Sequence, residues 1–207
     1  MGLELVDVAY AYEGAPALHG VSLRLEPGAV TAVVGANGSG KSTLLDLVAG
    51  VRSPATGTIS RGHARRAAFV PQTSATPDEL PITVRDCVAV GRFARAGLLR
   101  RLGRADRERI DEVMSLLDVA HLAGRRMRDL SGGQRQRTLV AQGLAQDSDL
   151  LVLDEPDSAL DAAGSTLLQG ALTAAARSGA TVVVATHDPT FPADRLIRLE
   201  QGRVQPG

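Results

Sequence analysis

The amino-acid sequence predicts an α/β fold with a parallel core, an antiparallel β edge and an inserted helical subdomain. Short, predominantly apolar runs at Val30–Val34, 150–153 and 181–185 have strand length, the pattern of strands buried on both sides of a parallel sheet. Residues 3–8 and 21–25 instead alternate apolar with polar, as strands with one wet face do. Residues 85–129 are rich in Arg, Leu and Ala and place Ile110, Val113, Met114 and Leu117 at helical spacing, which predicts a helical insertion.

The remaining elements follow in chain order. Pro27-Gly28 is a turn leading into the strand Val30–Val34, which ends at Gly35. Residues 42–49 have helical character and stop at Gly50, a helix C-terminal glycine. Ser53-Pro54 and Thr56-Gly57 read as turns, and Ala67–Val70 as a short strand. A helix is expected from Ser131 to about Ala145 and another around 165–177. Residues 197–204, with Gln201-Gly202 in the middle, read as a closing hairpin. The expected organisation is one domain over 1–207. Residues 1–84 and 146–207 form its α/β core with the β edge, and residues 85–145 form the helical subdomain.

Bulk properties narrow the function classes. A length of 207 residues and an apolar fraction of 44% allow one sizeable core. The 23 basic and 23 acidic residues cancel, which argues against a general nucleic-acid binder. The lone Cys87 cannot form an internal disulfide and fits a reducing cytoplasm. No apolar run reaches the roughly 18–20 residues needed to cross a bilayer, and Met1-Gly2-Leu3-Glu4 does not read as a secretory signal. Of the 23 basic residues, 22 are arginine and one, Lys41, is lysine. A compact ammonium on a flexible stem serves where a planar fork does not, so composition alone singles out position 41.

Lys41 lies in Gly35-Ala36-Asn37-Gly38-Ser39-Gly40-Lys41-Ser42, followed by Thr43. The run satisfies G-x-x-x-x-G-K-S/T between a strand and a helix, the context that makes it a phosphate-binding P-loop. Its glycines let successive N–H groups converge on an anion, and the helix start adds its positive dipole end. Lys41 suits terminal phosphate charge, and the Ser42 hydroxyl suits Mg²⁺. The strand at 150–153 ends in Asp154-Glu155, at the sheet edge where open α/β folds place ligands. Asp154 suits Mg²⁺; Glu155 suits a general base that polarises water. Ser131 and Gln134, three apart, form a capping-box pattern. Gly132 and Gly133 leave the first-turn amides open to an anion.

Leu130-Ser131-Gly132-Gly133-Gln134 matches the signature of the ATP-binding cassette (ABC) family, and the chain resembles that family over nearly its whole length. The resemblance implies a P-loop NTPase core of ABC ATPase type that binds ATP with Mg²⁺ and hydrolyses it. It implies that Ser131 to Gln134 bind the γ-phosphate held by a second copy of the chain, in a head-to-tail sandwich of two nucleotides. It places the adenine-stacking aromatic at Tyr12, with Tyr10 as the alternative, and a Mg²⁺-reaching glutamine at Gln72. Ser158-Ala159-Leu160-Asp161 matches the loop that crosses between subunits, and His187 the switch histidine on the γ-phosphate. His19, His63 and His121 have no such match. Gln142 departs from the arginine that many relatives carry there.

The insertion suggests the cargo. Pro81-Ile82-Thr83-Val84-Arg85-Asp86, Gly91-Arg92-Phe93 and Gly97-Leu98-Leu99-Arg100-Arg101 resemble the ATPase subunits of bacterial zinc and manganese importers, with siderophore and cobalamin importers as neighbours. The implied partners are an integral membrane permease and, indirectly, an extracytoplasmic substrate-binding protein. The implied location is cytoplasmic and peripheral on the inner face of the plasma membrane. From Arg92 to Arg109 there are seven arginines and two acids, read either as contact with a membrane partner or anionic headgroups or as a solvated helix face. A soluble repair or translation ATPase of this family would need a coiled-coil insertion or a second cassette. A small-molecule P-loop kinase would have no use for the signature at 130–134.

Overall fold

The computed structural model describes residues 2–64, 66–72, 81–96 and 101–205. It divides into two compact units. The first comprises Met1–Phe69, Ser148–Glu155 and Thr173–Gly207, the second Val70–Asp147 and Pro156–Leu172.

In the first unit, β1 (Leu3–Tyr12) and β2 (Ala15–Leu25) form a hairpin. β4 (Thr56–Ser60) pairs with the other edge of β1, giving an antiparallel sheet in the order β2-β1-β4. Both hairpin strands outrun the alternation at 3–8 and 21–25, because register shifts after Leu5 and Val8 interrupt the pleat that alternation detects. Glu13 and Gly14, at φ 43° and 87°, make the tight turn between them. Thr56-Gly57, expected as a turn, instead opens β4. Gly57 has φ 80°, and a Cβ there would overlap the Asp7 backbone, so a bulge lets glycine sit inside a paired strand.

The second sheet has the order β5-β6-β7-β3-β8-β9, from β3 (Val30–Val34), β5 (Ala67–Val70), β6 (Leu150–Asp154), β7 (Thr181–Thr186), β8 (Arg195–Glu200) and β9 (Arg203–Val204). β3 is parallel to both β7 and β8, and β6 is parallel to β7. Every residue of β3, β6 and β7 is buried, in keeping with their predominantly apolar sequences. The register aligns Val34 with Thr186 and Asp154 with Ala185, so the C-terminal ends of β3, β6 and β7 share one edge. Helix α1 (Lys41–Ala49) leaves β3 at that edge and ends on Gly50 at φ 82°. Its Leu44, Leu45, Leu47 and Val48 join a core with Leu3, Leu25, Val33, Val152 and Ile197.

The second unit is helical, with α2 (Val84–Ala96), α3 (Arg104–Leu116), α4 (Gly132–Ala145) and the first part of α5 (Ala162–Arg177). Thr83 starts α2: its hydroxyl accepts from the Asp86 N–H at 3.1 Å, and the Asp86 carboxylate accepts from the Thr83 N–H at 3.2 Å. A Cβ at Gly91 would overlap the Gln142 carbonyl oxygen, so glycine lets α2 lie close on α4. Cys87 faces Gln142, and burial pushes its thiol up to about 11. α5 begins three residues before the expected 165 because Asp161 accepts from the Gly164 N–H at 2.8 Å.

Arg92 fits neither expectation for the arginine-rich run. It is buried, at 7% exposure. Its guanidinium donates to Asp106 at 2.8 and 3.0 Å, to Asp147 at 2.6 Å and to the Ala145 carbonyl at 2.8 Å. Arg109 closes the cluster on Asp147 at 2.9 Å. Burial pulls the Arg92 pKa down, and the bonds to Asp106 and Asp147 more than reverse it. Arg104 pairs with Glu108 on the surface. The side chain of Arg95 and residues 97–100, with their part of the importer-like sequence, lie outside the described residues.

Candidate functional site

The loop between β3 and α1 is shaped by its glycines. Gly38 and Gly40 take φ 77° and 102°, backbone that other residues adopt at a cost, and a Cβ on Gly35 would overlap the Leu199 carbonyl and the Ser39 hydroxyl. The Ser39 N–H closes on the Ala36 carbonyl at 3.1 Å, and the Leu44 N–H on Gly40 at 2.9 Å. The amides of the first α1 turn are therefore left for an anion.

Lys41 is 5% exposed. Its ammonium donates to the carbonyls of Gly35 at 2.8 Å and Ala36 at 3.2 Å, and lies 4.0 Å from Glu155 Oε1. β6 delivers the two carboxylates to the same place. Asp154 is buried and accepts a hydrogen bond from Ser42. Its pKa is raised, chiefly by burial and further by Glu155, against the lowering pull of Ser42 and Lys41. Its Oδ1 is buried without a hydrogen-bond partner. Glu155 takes φ 47°, uncommon for a residue with a side chain, and its N–H donates to the Ala185 carbonyl at 2.9 Å.

Ser42 with the unpartnered Asp154 oxygen fits a hard divalent cation. Among the described residues there is no group of three or more His, Cys, Asp or Glu that could cage a metal alone. That donor set suits an ion arriving with phosphate oxygens, as Mg²⁺ does with a nucleotide.

His187, just past β7, is exposed. With Asn37, Gly38, Arg198 and Arg203 it lines a cavity of about 820 Å³ beside the loop. Tyr12 ends β1 at 40% exposure, with its hydroxyl 3.3 Å from the Thr43 hydroxyl. Tyr10 meets its ring edge-on at 5.0 Å, and Arg52 Cζ lies 4.9 Å from its centroid. The sequence reading passed over Arg52, which has no motif around it.

The other expected residues lie in the second unit. Gln72 follows β5, exposed. Ser131 caps α4, accepting from the Gln134 N–H at 3.3 Å, while the Gln134 side chain accepts from the Ser131 N–H at 3.2 Å. A Cβ on Gly133 would crowd the Ala159 carbonyl at 2.9 Å, so this glycine also admits the 158–161 loop against the start of α4. The Asp161 carboxylate is spent on the start of α5.

Known proteins share this sequence pattern and fold. A family described as ABC transporter matches residues 18–158. A manganese transport ATP-binding protein of Bacillus subtilis is 34% identical over 192 residues, 90% of this chain and 77% of its own length. A zinc transport counterpart from Treponema pallidum is 34% identical, covering 95% and 76%. A hemin import ATP-binding protein of Nocardia farcinica is 40% identical, covering 89% and 67%. Among solved structures, a dimeric bacterial ABC transporter cassette superposes with TM-score 0.87 at 26% identity, over 99% of this chain and 97% of that one. A metal-chelate type ABC transporter in an inward-facing conformation gives 0.85 at 32%, over 99% and 82%.

Proposed function

Because the chain belongs to the ABC transporter family, as an ATP-hydrolysing subunit that powers import, we propose that it drives uptake of a transition-metal ion, zinc or manganese. One observation carries the chemistry: Lys41, Ser42, Asp154 and Glu155 converge at one sheet edge around a buried, unpartnered carboxylate oxygen. The manganese and zinc relatives, each 34% identical, support the choice of cargo.

In this reading Gly35 and Asn37 to Thr43 bind the phosphates of ATP, and Tyr12 stacks on the base. Mg²⁺, held by Ser42 and Asp154, would screen phosphate charge, and the family resemblance assigns Gln72 to the same ion. Glu155 orients a water and takes its proton, and its short distance to Lys41 puts that base beside the phosphate-binding cation. His187 reaches the γ-phosphate. Ser131, Gly132, Gly133 and Gln134 of a second copy complete the site, with Asp161 in the loop that crosses between copies. A dimeric relative with TM-score 0.87 supports that arrangement. The helical region 85–145 faces a membrane permease that receives cargo from an extracytoplasmic binding protein, leaving the chain peripheral on the inner membrane face. Among the described residues no helix is long and apolar enough to cross a membrane.

The hemin relative, 40% identical, favours a second reading in which the cargo is a metal chelate. Deleting the gene separates the two. Lower cellular zinc or manganese under starvation, with hemin and siderophore uptake intact, supports metal-ion import. Unaltered metal content with impaired chelate uptake replaces it with the second reading.

A further inference from the structure

We propose that Arg52 is a positioning residue for base recognition: it fixes the Tyr12 ring and covers one face of it, leaving the opposite face for the nucleotide base. The inference rests on the reading of Tyr12 as the base-stacking aromatic.

The guanidinium is held from three sides. Its Nε donates to Asp46 Oδ2 of α1 at 2.8 Å, its Nη1 donates to the Tyr10 hydroxyl at 3.1 Å, and its Cζ sits 4.9 Å from the Tyr12 centroid and 5.7 Å from that of Tyr10. The backbone is fixed as well, since the N–H groups of Val51 and Arg52 both donate to the Asp46 carbonyl, at 2.9 and 3.3 Å. The bond to Asp46, then that to Tyr10, raise the Arg52 pKa, so the cation is permanent. Tyr12 is in turn held by this cation over one face, by Tyr10 at its edge and by Thr43 at its hydroxyl.

Two consequences follow for a base arriving from solvent. A ring 40% exposed at the end of a strand would otherwise lose side-chain freedom on stacking, and pinning it beforehand removes that cost. The base must also choose a face. Stacking where the guanidinium lies means tearing it from Asp46, Tyr10 and the ring, whereas the opposite face asks for none of this. The same contacts explain why Tyr12 rather than Tyr10 is the stacking residue: the Tyr10 hydroxyl is engaged by Arg52, and its ring is turned at 78° to that of Tyr12. Thr43 links the arrangement to the phosphate loop, because the hydroxyl that meets Tyr12 belongs to the residue after Ser42.

The chain has two tyrosines and no tryptophan, so tyrosine emission reports directly on this cluster. Titrations of ATP and of base-free tripolyphosphate, both with Mg²⁺, are compared in the full chain and in Arg52→Ala, Arg52→Lys and Tyr12→Ala. Folding of each is checked by far-UV circular dichroism. Arg52→Ala should weaken ATP binding about 3- to 10-fold and leave tripolyphosphate unchanged, the size of a lost cation–π support and part of a stack. Arg52→Lys, which keeps charge without the planar fork, should fall between. Equal losses for both ligands would make Arg52 a support of the phosphate loop only and overturn the proposal. Tighter ATP binding by Arg52→Ala would put the guanidinium on the face the base needs, and overturn it too. The parent reading has its own arm. If Tyr12→Ala weakens ATP and Arg52→Ala does not, the positioning role alone falls. If Tyr12→Ala is also neutral, the assignment of Tyr12 falls with it.

Discussion

Among the described residues each unit buries one strong cation, and the two are bound in opposite ways. Lys41, 5% exposed, rests on two neutral carbonyls of its own loop, with its nearest carboxylate 4.0 Å away. Arg92, 7% exposed, is closed by two carboxylates and a carbonyl, all within 3.0 Å. A buried charge needs full pairing if it is to hold a fold together. An under-paired one is costly to leave so and gains most when an anion arrives. Arg92 belongs to the architecture of α2, α3 and α4, whereas the proposed function makes Lys41 the cation that waits for a phosphate. Depth of burial does not distinguish them; the quality of their counter-charges does.

The strongest way to break this contrast is to remove each cation and ask what is lost. Lys41→Ala should lower ATP hydrolysis by about 10²- to 10³-fold or more, because the ammonium stabilises charge on the transferring phosphoryl group. Its melting temperature should move by less than ~3 °C, the equivalent of about 1 kcal/mol in a chain of this size. Phosphate-release assays and thermal denaturation decide it. A folded variant that hydrolyses ATP at the normal rate would refute the contrast from the functional side.

Arg92→Ala should do the reverse. Removing the guanidinium leaves the buried Asp106 carboxylate without its cation, while Asp147 keeps Arg109 at 2.9 Å, and the loss of one partner of a buried pair costs about 3 kcal/mol or more. That corresponds to a fall in melting temperature on the order of 10 °C. ATP affinity of the protein that remains folded should change little, because the phosphate loop lies in the other unit. A variant melting within 2 °C of the parent, a shift worth ~1 kcal/mol or less, would show that the cluster contributes nothing net.

The two cations also mark where sequence reading reaches its limit. Lys41 was legible because its neighbours are local: glycines at 35, 38 and 40, a strand before and a helix after. β3 and β5 have the expected ends, Val30–Val34 and Ala67–Val70, because a short, mostly apolar run bounded by turn residues marks its own limits. The capping box of Ser131 and Gln134 formed as read, since all its atoms lie within one turn. Arg92 was illegible because its counter-ions stand 14 and 55 positions away, and a run of arginines carries no sign of which one turns inward. β4 was missed for a similar reason. Gly57 signals a turn in isolation, and its place in a strand depends on a bulge at Asp7, 50 positions earlier in the chain. Arg52 is held by groups on two elements and becomes visible once β1 and α1 are packed.

The smallest effect concerns Asp154, a buried anion that sharpens the same contrast from the other sign. Burial, then Glu155, raise its pKa above the ordinary 3.8, so the folded protein holds this proton to higher pH than the unfolded chain does. The sign of the pH dependence follows. Below the unfolded pKa both states are neutral and there is no penalty. As pH rises through that value the unfolded chain ionises first, and stability falls until the folded carboxyl ionises too, after which the deficit is constant. Asp154→Asn removes the charge at nearly constant size. It should raise the melting temperature of the nucleotide-free protein at pH 7, with the gain vanishing as pH falls to the ordinary carboxyl value of 3.8. The order should invert with Mg²⁺ and ATP present, since the wild-type carboxylate gains a counter-charge that the amide cannot use. A variant less stable than wild type at pH 7 without nucleotide would mean that Lys41 and Ser42 already repay the burial of Asp154. This carboxylate would then belong with Asp106 among the groups that hold the fold rather than with Lys41 among those that await a ligand.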